Sequence, residues 1–225
     1  MLSATMEDYL KGIYSLQQES DGRVKTSVLA EYMDVEQSTV TSMMKKLADR
    51  DLASYEPYKG VILTDTGSHI ALEVIRHHRL LERYLTEHLE YDWSEVHDEA
   101  DTLEHHISDQ FADRVANVLG DPDVDPHGDP IPTSDLEFAS TQYSETLDDY
   151  QEGDAIKIER VRDREQAVLE YLSKHGIQPG VTAKIVEVTP FGMITLQPDT
   201  TEQSVGLPEE IAQSVYAHSL NGDEE

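Results

Sequence analysis

The chain has 225 residues, with 17 Lys and Arg against 46 Asp and Glu, a formal net charge of −29, and no cysteine. That length supports one or two domains with a sizeable core; the missing cysteines exclude disulfides and thiolate ligands, and no apolar run reaches the roughly 18 residues of a spanning helix. Taken alone the charge argues against a polyanionic partner, yet a surface adapted to concentrated salt has the same composition, and with a Debye length of about 3 Å at 1 M salt net charge does not veto DNA binding. The N-terminus "MLSATMEDYL" lacks the basic and apolar regions of a signal peptide, so a cytoplasmic protein without a membrane partner is expected. The charge is uneven. Residues 97–153 hold sixteen acids and one base, Arg114, whereas residues 1–60 hold ten acids and seven bases.

In chain order, residues 5–18 predict a helix with the apolar stripe Met6, Leu10, Ile13, Tyr14 and Leu16. Thr5 followed by Asp8 has the form of a capping box. A short helix follows at 26–32, a turn at "DV", and a helix at 36–50, the spacing of a helix-turn-helix. Two β-prone runs flank Pro57-Tyr58-Lys59-Gly60 and predict a hairpin, or wing. Thr64 or Asp65 caps a long helix reaching about residue 88, and another helix is expected from Ser94 to Leu119. "GDPDVDPHGDPIP", residues 120–132, is Pro- and Gly-rich loop, and 133–150 has the acidity and weak periodicity of a linker. From Gly153 the pattern is short strands ("AIKIERV", "AKIVEV", "MITLQ", "SVGLP") around one helix ("EQAVLEYLSKHG"), which suggests a small SH3-like barrel.

In the 36–50 helix, Val40, Met44 and Leu47 share one stripe, while Gln37, Ser38, Thr39, Ser42, Lys45, Lys46 and Arg50 lie on the rest. Short polar groups near the N-terminus suit base edges, and bases further along suit phosphates. Lys59 at the wing tip is placed for the backbone of DNA. The same pattern also fits an ordinary amphipathic helix with a solvated polar face; the helix-turn-helix-wing order favours DNA.

"VHDEADTLEHHIS", residues 96–108, concentrates histidine and carboxylate. On one continuous helix His97, Asp101, Glu104 and His105 form a stripe beside the apolar stripe of Val96, Ala100, Leu103, Ile107 and Phe111. Such groups at the edge of a buried face are costly unless paired or bound to a cation. The preceding helix adds His78 and Glu82 at i, i+4. The competing reading is chance clustering in an acidic chain, with Asp8 a simple cap and His78 a surface histidine. There is no H-E-x-x-H and no repeated E-x-x-H, which excludes those metallohydrolase and di-iron patterns. Oxygen and imidazole donors without sulfur favour Mn(II) or Fe(II), with Zn(II) tolerated.

"SATMEDYLKGIY", the winged helix, "RHHRLLERYL", "VHDEADTLEHHIS", "DPHGDPIP" and the small barrel occur in an order that resembles the diphtheria-toxin-repressor family of metal-dependent transcriptional repressors. The resemblance covers essentially the full chain and is most specific in "HDEA..LEH" with "HG.PIP". It implies a mainly α protein with small β: a winged helix-turn-helix DNA-binding domain (1–64), a helical metal-binding and dimerisation domain (65–132), a linker (133–150) and an SH3-like, FeoA-type domain (151–220). It further implies a homodimer that takes Fe(II) or Mn(II) as corepressor and then binds a palindromic, double-stranded operator. The family's primary site maps onto Asp8, Asp101, Glu104 and His105; its ancillary site maps onto His78, Glu82 and His97, completed by Glu165 of the barrel. Asp101 stands where iron regulators often carry Cys and manganese regulators Glu. Asp8 matches the manganese type, and Lys11 departs from it, occupying a place where that type can have an acidic ligand. Val168 falls where a second barrel ligand, Gln, can occur. The alternatives are a metal-independent winged-helix regulator and a metal-dependent enzyme; the latter lacks any nucleophile–base pair or substrate-phosphate loop.

Overall fold

A computed structural model of the chain describes residues 2–19, 22–138, 145–162 and 166–220. These fall into two compact units interleaved along the chain. The first takes Met1–His78, Thr102–Arg114 and Pro132–Glu137; the second takes Arg79–Asp101, Val115–Ile131 and Phe138–Glu225. Among the described residues no helix is long and apolar enough to cross a membrane.

The first unit begins with α1 (Ala4–Glu19), α2 (Thr26–Tyr32) and α3 (Gln37–Ala48). A hairpin of β1 (Ala53–Glu56) and β2 (Gly60–Leu63) follows, then the start of α4 (Asp65–Leu89). Its core joins Leu10 and Ile13 of α1, Leu29 of α2, Val40, Met44 and Leu47 of α3, and Val61 of the hairpin, each fully buried. These are the spacings of three and four that place side chains on one helical face. The hairpin pairs Ala53 with Leu63 through to Glu56 with Gly60, and Val24 bridges Val61 beside it. Gly60 has φ +106°, and a Cβ there would lie 2.1 Å from the Val24 carbonyl oxygen, so no other residue fits this approach.

Two local expectations change. The first turn of α1 is capped by Ser3, whose Oγ accepts from the Met6 amide at 3.3 Å, rather than by a Thr5–Asp8 box. The helix expected over 94–119 is two helices, α5 (Val96–Leu103) and α6 (Asp109–Leu119). Ser108 accepts from the Phe111 amide through its side chain and its carbonyl, and Asp109 sits in the first turn of α6, so the "SDQ" sequence starts a new helix instead of continuing the old one. Glu104 and His105 therefore sit in a turn. At the head of α4 it is Thr64 that caps, its Oγ1 accepting from the Gly67 amide at 3.1 Å.

The second unit contains β3 (Ala155–Val161), α7 (Gln166–Lys174), β4 (Thr182–Val188), β5 (Ile194–Pro198), β6 (Val205–Leu207), α8 (Glu209–Ala212) and β7 (Val215–Ser219). All sheet neighbours are antiparallel, in the order β6-β5-β4-β3-β7. Strand β7 had no counterpart among the expected strands. Part of the expected linker belongs to this unit: Leu147 and Tyr150 are buried in its core, and Thr146 bridges Tyr216. Residues 139–144 of that linker lie outside the described residues. The 120–131 loop is fixed rather than slack. Val161 donates its amide to the His127 carbonyl at 2.8 Å, and Gly128, at φ +85°, brings its α-carbon so close that a Cβ would lie 2.1 Å from the Glu159 carbonyl oxygen.

Candidate metal centre

In the first unit, Asp8 of α1 meets Glu104 and His105 of the α5–α6 turn, each offering a ligand atom within 4.8 Å of the others. His105 Nε2 lies 2.9 Å from Asp8 Oδ1 and 3.4 Å from Glu104 Oε1. Its other nitrogen, Nδ1, lies 2.7 Å from Glu7 Oε2. A carboxylate on Nδ1–H fixes the tautomer and leaves Nε2 to face the cluster, the arrangement that orients metal-bound histidines. Glu104 is buried, and its oxygens receive His78 Nδ1 at 2.6 Å and the Lys11 ammonium at 2.8 and 3.0 Å. Burial pushes the Asp8 carboxyl above its usual range, with His105 and Lys11 opposing and Glu104 reinforcing.

In the second unit, Glu82 of α4 joins Asp125 and His127 of the 120–131 loop, all three buried. Asp125 Oδ1 accepts from the amides of His127 and Asp129 at 2.8 and 2.9 Å, an Asx turn that aims the loop. His127 Nε2 lies 2.8 Å from the Trp93 carbonyl oxygen. A carbonyl only accepts, so Nε2 carries hydrogen and Nδ1, 3.7 Å from Glu82 Oε2, faces the carboxylates. Arg79 and Arg160 both pair with Asp129, and Arg79 approaches Asp125 at 3.7 Å. Burial raises Asp125 to about 7, helped by the charges of Asp129 and Glu82. For His127 burial works against the charged ring, but Glu82 foremost, with Asp125 and Asp129, outweighs it and lifts the imidazole to about 9.

The expected residues divide as follows. Asp8, Glu104 and His105 come together. Asp101, expected with them, is half-exposed in the last turn of α5, its Oδ2 3.6 Å from His97 Nε2. His97 Nδ1 lies 3.0 Å from Glu82 Oε1. His78 has its Nδ1 on Glu104. Glu165 lies outside the described residues. Val168 packs on the core of the second unit. Of the DNA-facing set, Gln37, Ser38, Thr39, Ser42, Lys45, Lys46, Arg50 and Lys59 are all exposed. Lys59 pairs with Glu56 at 2.7 Å. Asp125, His127 and the orienting Glu7 are not among the expected ligands; "DPHGDPIP" is expected as loop and as part of the family resemblance, with no metal role assigned to its residues. Both clusters offer two carboxylates and one imidazole with no sulfur, a donor set that fits Fe(II) or Mn(II).

A winged helix-turn-helix joined to paired oxygen–nitrogen clusters defines a metal-responsive DNA-binding protein. Three family models divide the chain: "iron dependent repressor, N-terminal DNA binding domain" over residues 1–61, "iron dependent repressor, metal binding and dimerisation domain" over 64–133, and "FeoA domain" over 145–218. An HTH-type transcriptional regulator MntR of Oceanobacillus iheyensis is 36% identical over 119 residues, 53% of this chain and 80% of that protein. An uncharacterised HTH-type transcriptional regulator of Methanocaldococcus jannaschii is 36% identical over 114 residues, 51% of this chain and 91% of that protein. A solved manganese-dependent transcriptional repressor in complex with manganese superposes with a TM-score of 0.84 at 37% identity, covering 96% of this chain and all of that one. The solved ScaR with bound Zn2+ gives 0.77 at 34%, covering 96% and 99%. The chain belongs to the diphtheria-toxin-repressor family of metal-dependent transcriptional repressors, whose members are regulators rather than enzymes.

Proposed function

We propose that this chain represses transcription when Fe(II) or Mn(II) is held by Asp8, Glu104 and His105 and, at the second cluster, by Glu82, Asp125 and His127. The observation that carries the reading is the meeting of Asp8 with His105, 97 positions apart in sequence, at 2.9 Å. Asp8 lies on α1, whose Leu10 and Ile13 share a core with Val40, Met44 and Leu47 of α3. Fixing the first half of α1 therefore fixes the attitude of the reader helix. When bound, the ion supplies the divalent charge that offsets Asp8 and Glu104 and favours the conformer in which these ligands meet. Glu7 holds the His105 ring in register, and the Trp93 carbonyl does the same for His127. His97 supports Glu82, and His78 supports Glu104.

Residues 1–64 read the operator and 65–132 bind metal and dimerise, while the FeoA-type domain extends back from 151 to include residue 145. Gln37, Ser38, Thr39 and Ser42 face base edges; Lys45, Lys46, Arg50 and Lys59 face phosphates. The homodimer forms on α6, where Phe111 and Val118 are 46% and 64% exposed; a twofold dimer calls for a palindromic operator. The protein acts in the cytoplasm.

A gel shift with Mn(II), with anaerobic Fe(II) and with chelator tests this. Retardation that appears with metal and vanishes with chelator is expected; equal binding in all lanes overturns it. Replacing Lys45, Lys46 and Arg50 together with Ala removes about six phosphate contacts per dimer and should lower the slope of log affinity against log salt by about 5, at about 0.9 per contact.

A further inference from the structure

The first cluster already has a cation. The Lys11 ammonium lies 2.8 Å from Glu104 Oε1 and 3.0 Å from Oε2, with the Lys11 side chain 21% exposed and that of Glu104 0% exposed. A carboxylate withdrawn wholly from water is costly unless an opposite charge faces it. Lys11 is three residues after Asp8 on α1, and residues at that spacing are surface neighbours on a helix. The helix that offers a ligand thus also offers a competitor for the next one.

We propose that Lys11 is a tethered cation that competes with the metal for Glu104 and thereby sets the metal affinity of this cluster. The inference rests on the metal-dependent reading above. Glu104 Oε1, the oxygen nearer the ammonium, is also 3.4 Å from His105 Nε2, the nitrogen that faces Asp8. An ion held by Asp8, His105 and Glu104 must take that oxygen from Lys11. His78 and Lys11 together hold the other oxygen. The ammonium beside the cluster also repels a divalent ion. A neighbouring charge moves a carboxylate's affinity for a proton by about one to three powers of ten, and the same Coulombic effect acts on its affinity for a metal ion. Two consequences of opposite sign follow. Without metal, Lys11 stabilises the fold by compensating Glu104. With metal, it weakens binding. A role in packing alone would lower both stability and affinity when Lys11 is removed.

The test uses the full-length metal-free protein. Mn(II) affinity is measured by competition with a chromophoric chelator, and thermal unfolding is followed with and without Mn(II). The site in question is the one lost in His105→Ala. Lys11→Met should tighten that site about tenfold or more, lower the melting temperature without metal, and enlarge the rise on adding Mn(II). Lys11→Arg should restore the wild-type pattern. If Lys11→Met does not fold without metal, Lys11→Gln, which keeps a donor and loses the charge, should show the same directions more weakly. A site of unchanged or weaker affinity in Lys11→Met or Lys11→Gln, with the His105-dependent site present in the wild type, overturns the role of Lys11 and leaves the repressor reading intact. Mn(II) binding that His105→Ala does not alter overturns the repressor reading at this cluster, and the role of Lys11 with it.

Discussion

The two clusters use the same donors, two carboxylates and an imidazole, and are built in opposite ways. Asp8, Glu104 and His105 come from a helix and a distant turn and meet through their side chains. Asp125 and His127 come from one tight loop whose backbone is tied by an Asx turn and by the Val161 amide. The first arrangement exists only while two separate elements stay together, so ligation there would be coupled to conformation. In the second, two of the three donors persist as long as the loop is folded and Glu82 joins them from α4, so ligation there would add stability to a shape largely set. Under the proposed reading, one ligand chemistry would thus serve a responsive site and a more preorganised one, and the difference lies in how many donors share a single tied loop.

That contrast can be broken by experiment. The largest effect is expected for His105→Ala: metal-dependent operator affinity should fall about a hundredfold, since at least one metal ligand and its coupling to α1 go together. His127→Ala should reduce metal stoichiometry yet cost operator affinity far less; equal losses in the two variants would erase the distinction. Next comes Asp125→Ala, which strips two buried amides of their acceptor and should lower metal-free stability by about 2–3 kcal/mol in denaturant unfolding.

A smaller effect is expected from pH. His127 is lifted to about 9 and Asp125 to about 7, both above their unfolded values. The folded state then binds more protons than the unfolded one, so this cluster's contribution to metal-free stability is full at low pH and is lost as pH rises through about 7 and then 9. Metal must displace those protons, so affinity at this cluster should rise over the same interval. Melting curves and proton release on Mn(II) addition, taken at pH 6 to 9, check both signs.

Much of the fold was legible because it rests on apolar periodicity. The Val40, Met44, Leu47 stripe and the strand at 155–161 lie where the pattern puts them. The 94–119 helix was misread because the apolar stripe continues in phase across the break, while Ser108 and Asp109 supply a local start signal that outweighs it. That break matters to the site: a single helix would place Asp101 beside His105, whereas the turn gives Glu104 and His105 their own direction. Asp125 and His127 were hidden for another reason. Pro and Gly mark a loop by composition, but whether a loop is buried against a sheet depends on contacts such as Gly128 on Glu159, which no periodicity records. The usable signal was a histidine two residues after an Asx residue and just before glycine.

The wing carries a last consequence. Arg23 donates to the Ser54 carbonyl and pairs with Glu56, and Lys59 pairs with the same carboxylate. Those two contacts hold the Glu56 carboxyl below its usual range, the Lys59 hydrogen bond first. Lys59, the base at the turn of the hairpin, and Arg23, which precedes α2, are therefore both paired with Glu56, while Tyr58 stands fully exposed at the tip. Under the proposed reading, Lys59 reaches a phosphate only by leaving Glu56, so its ionic contribution is smaller than that of Lys45 and Lys46 of α3. Changing the surrounding salt would then act more strongly on the contacts proposed for α3 than on the one proposed for the wing.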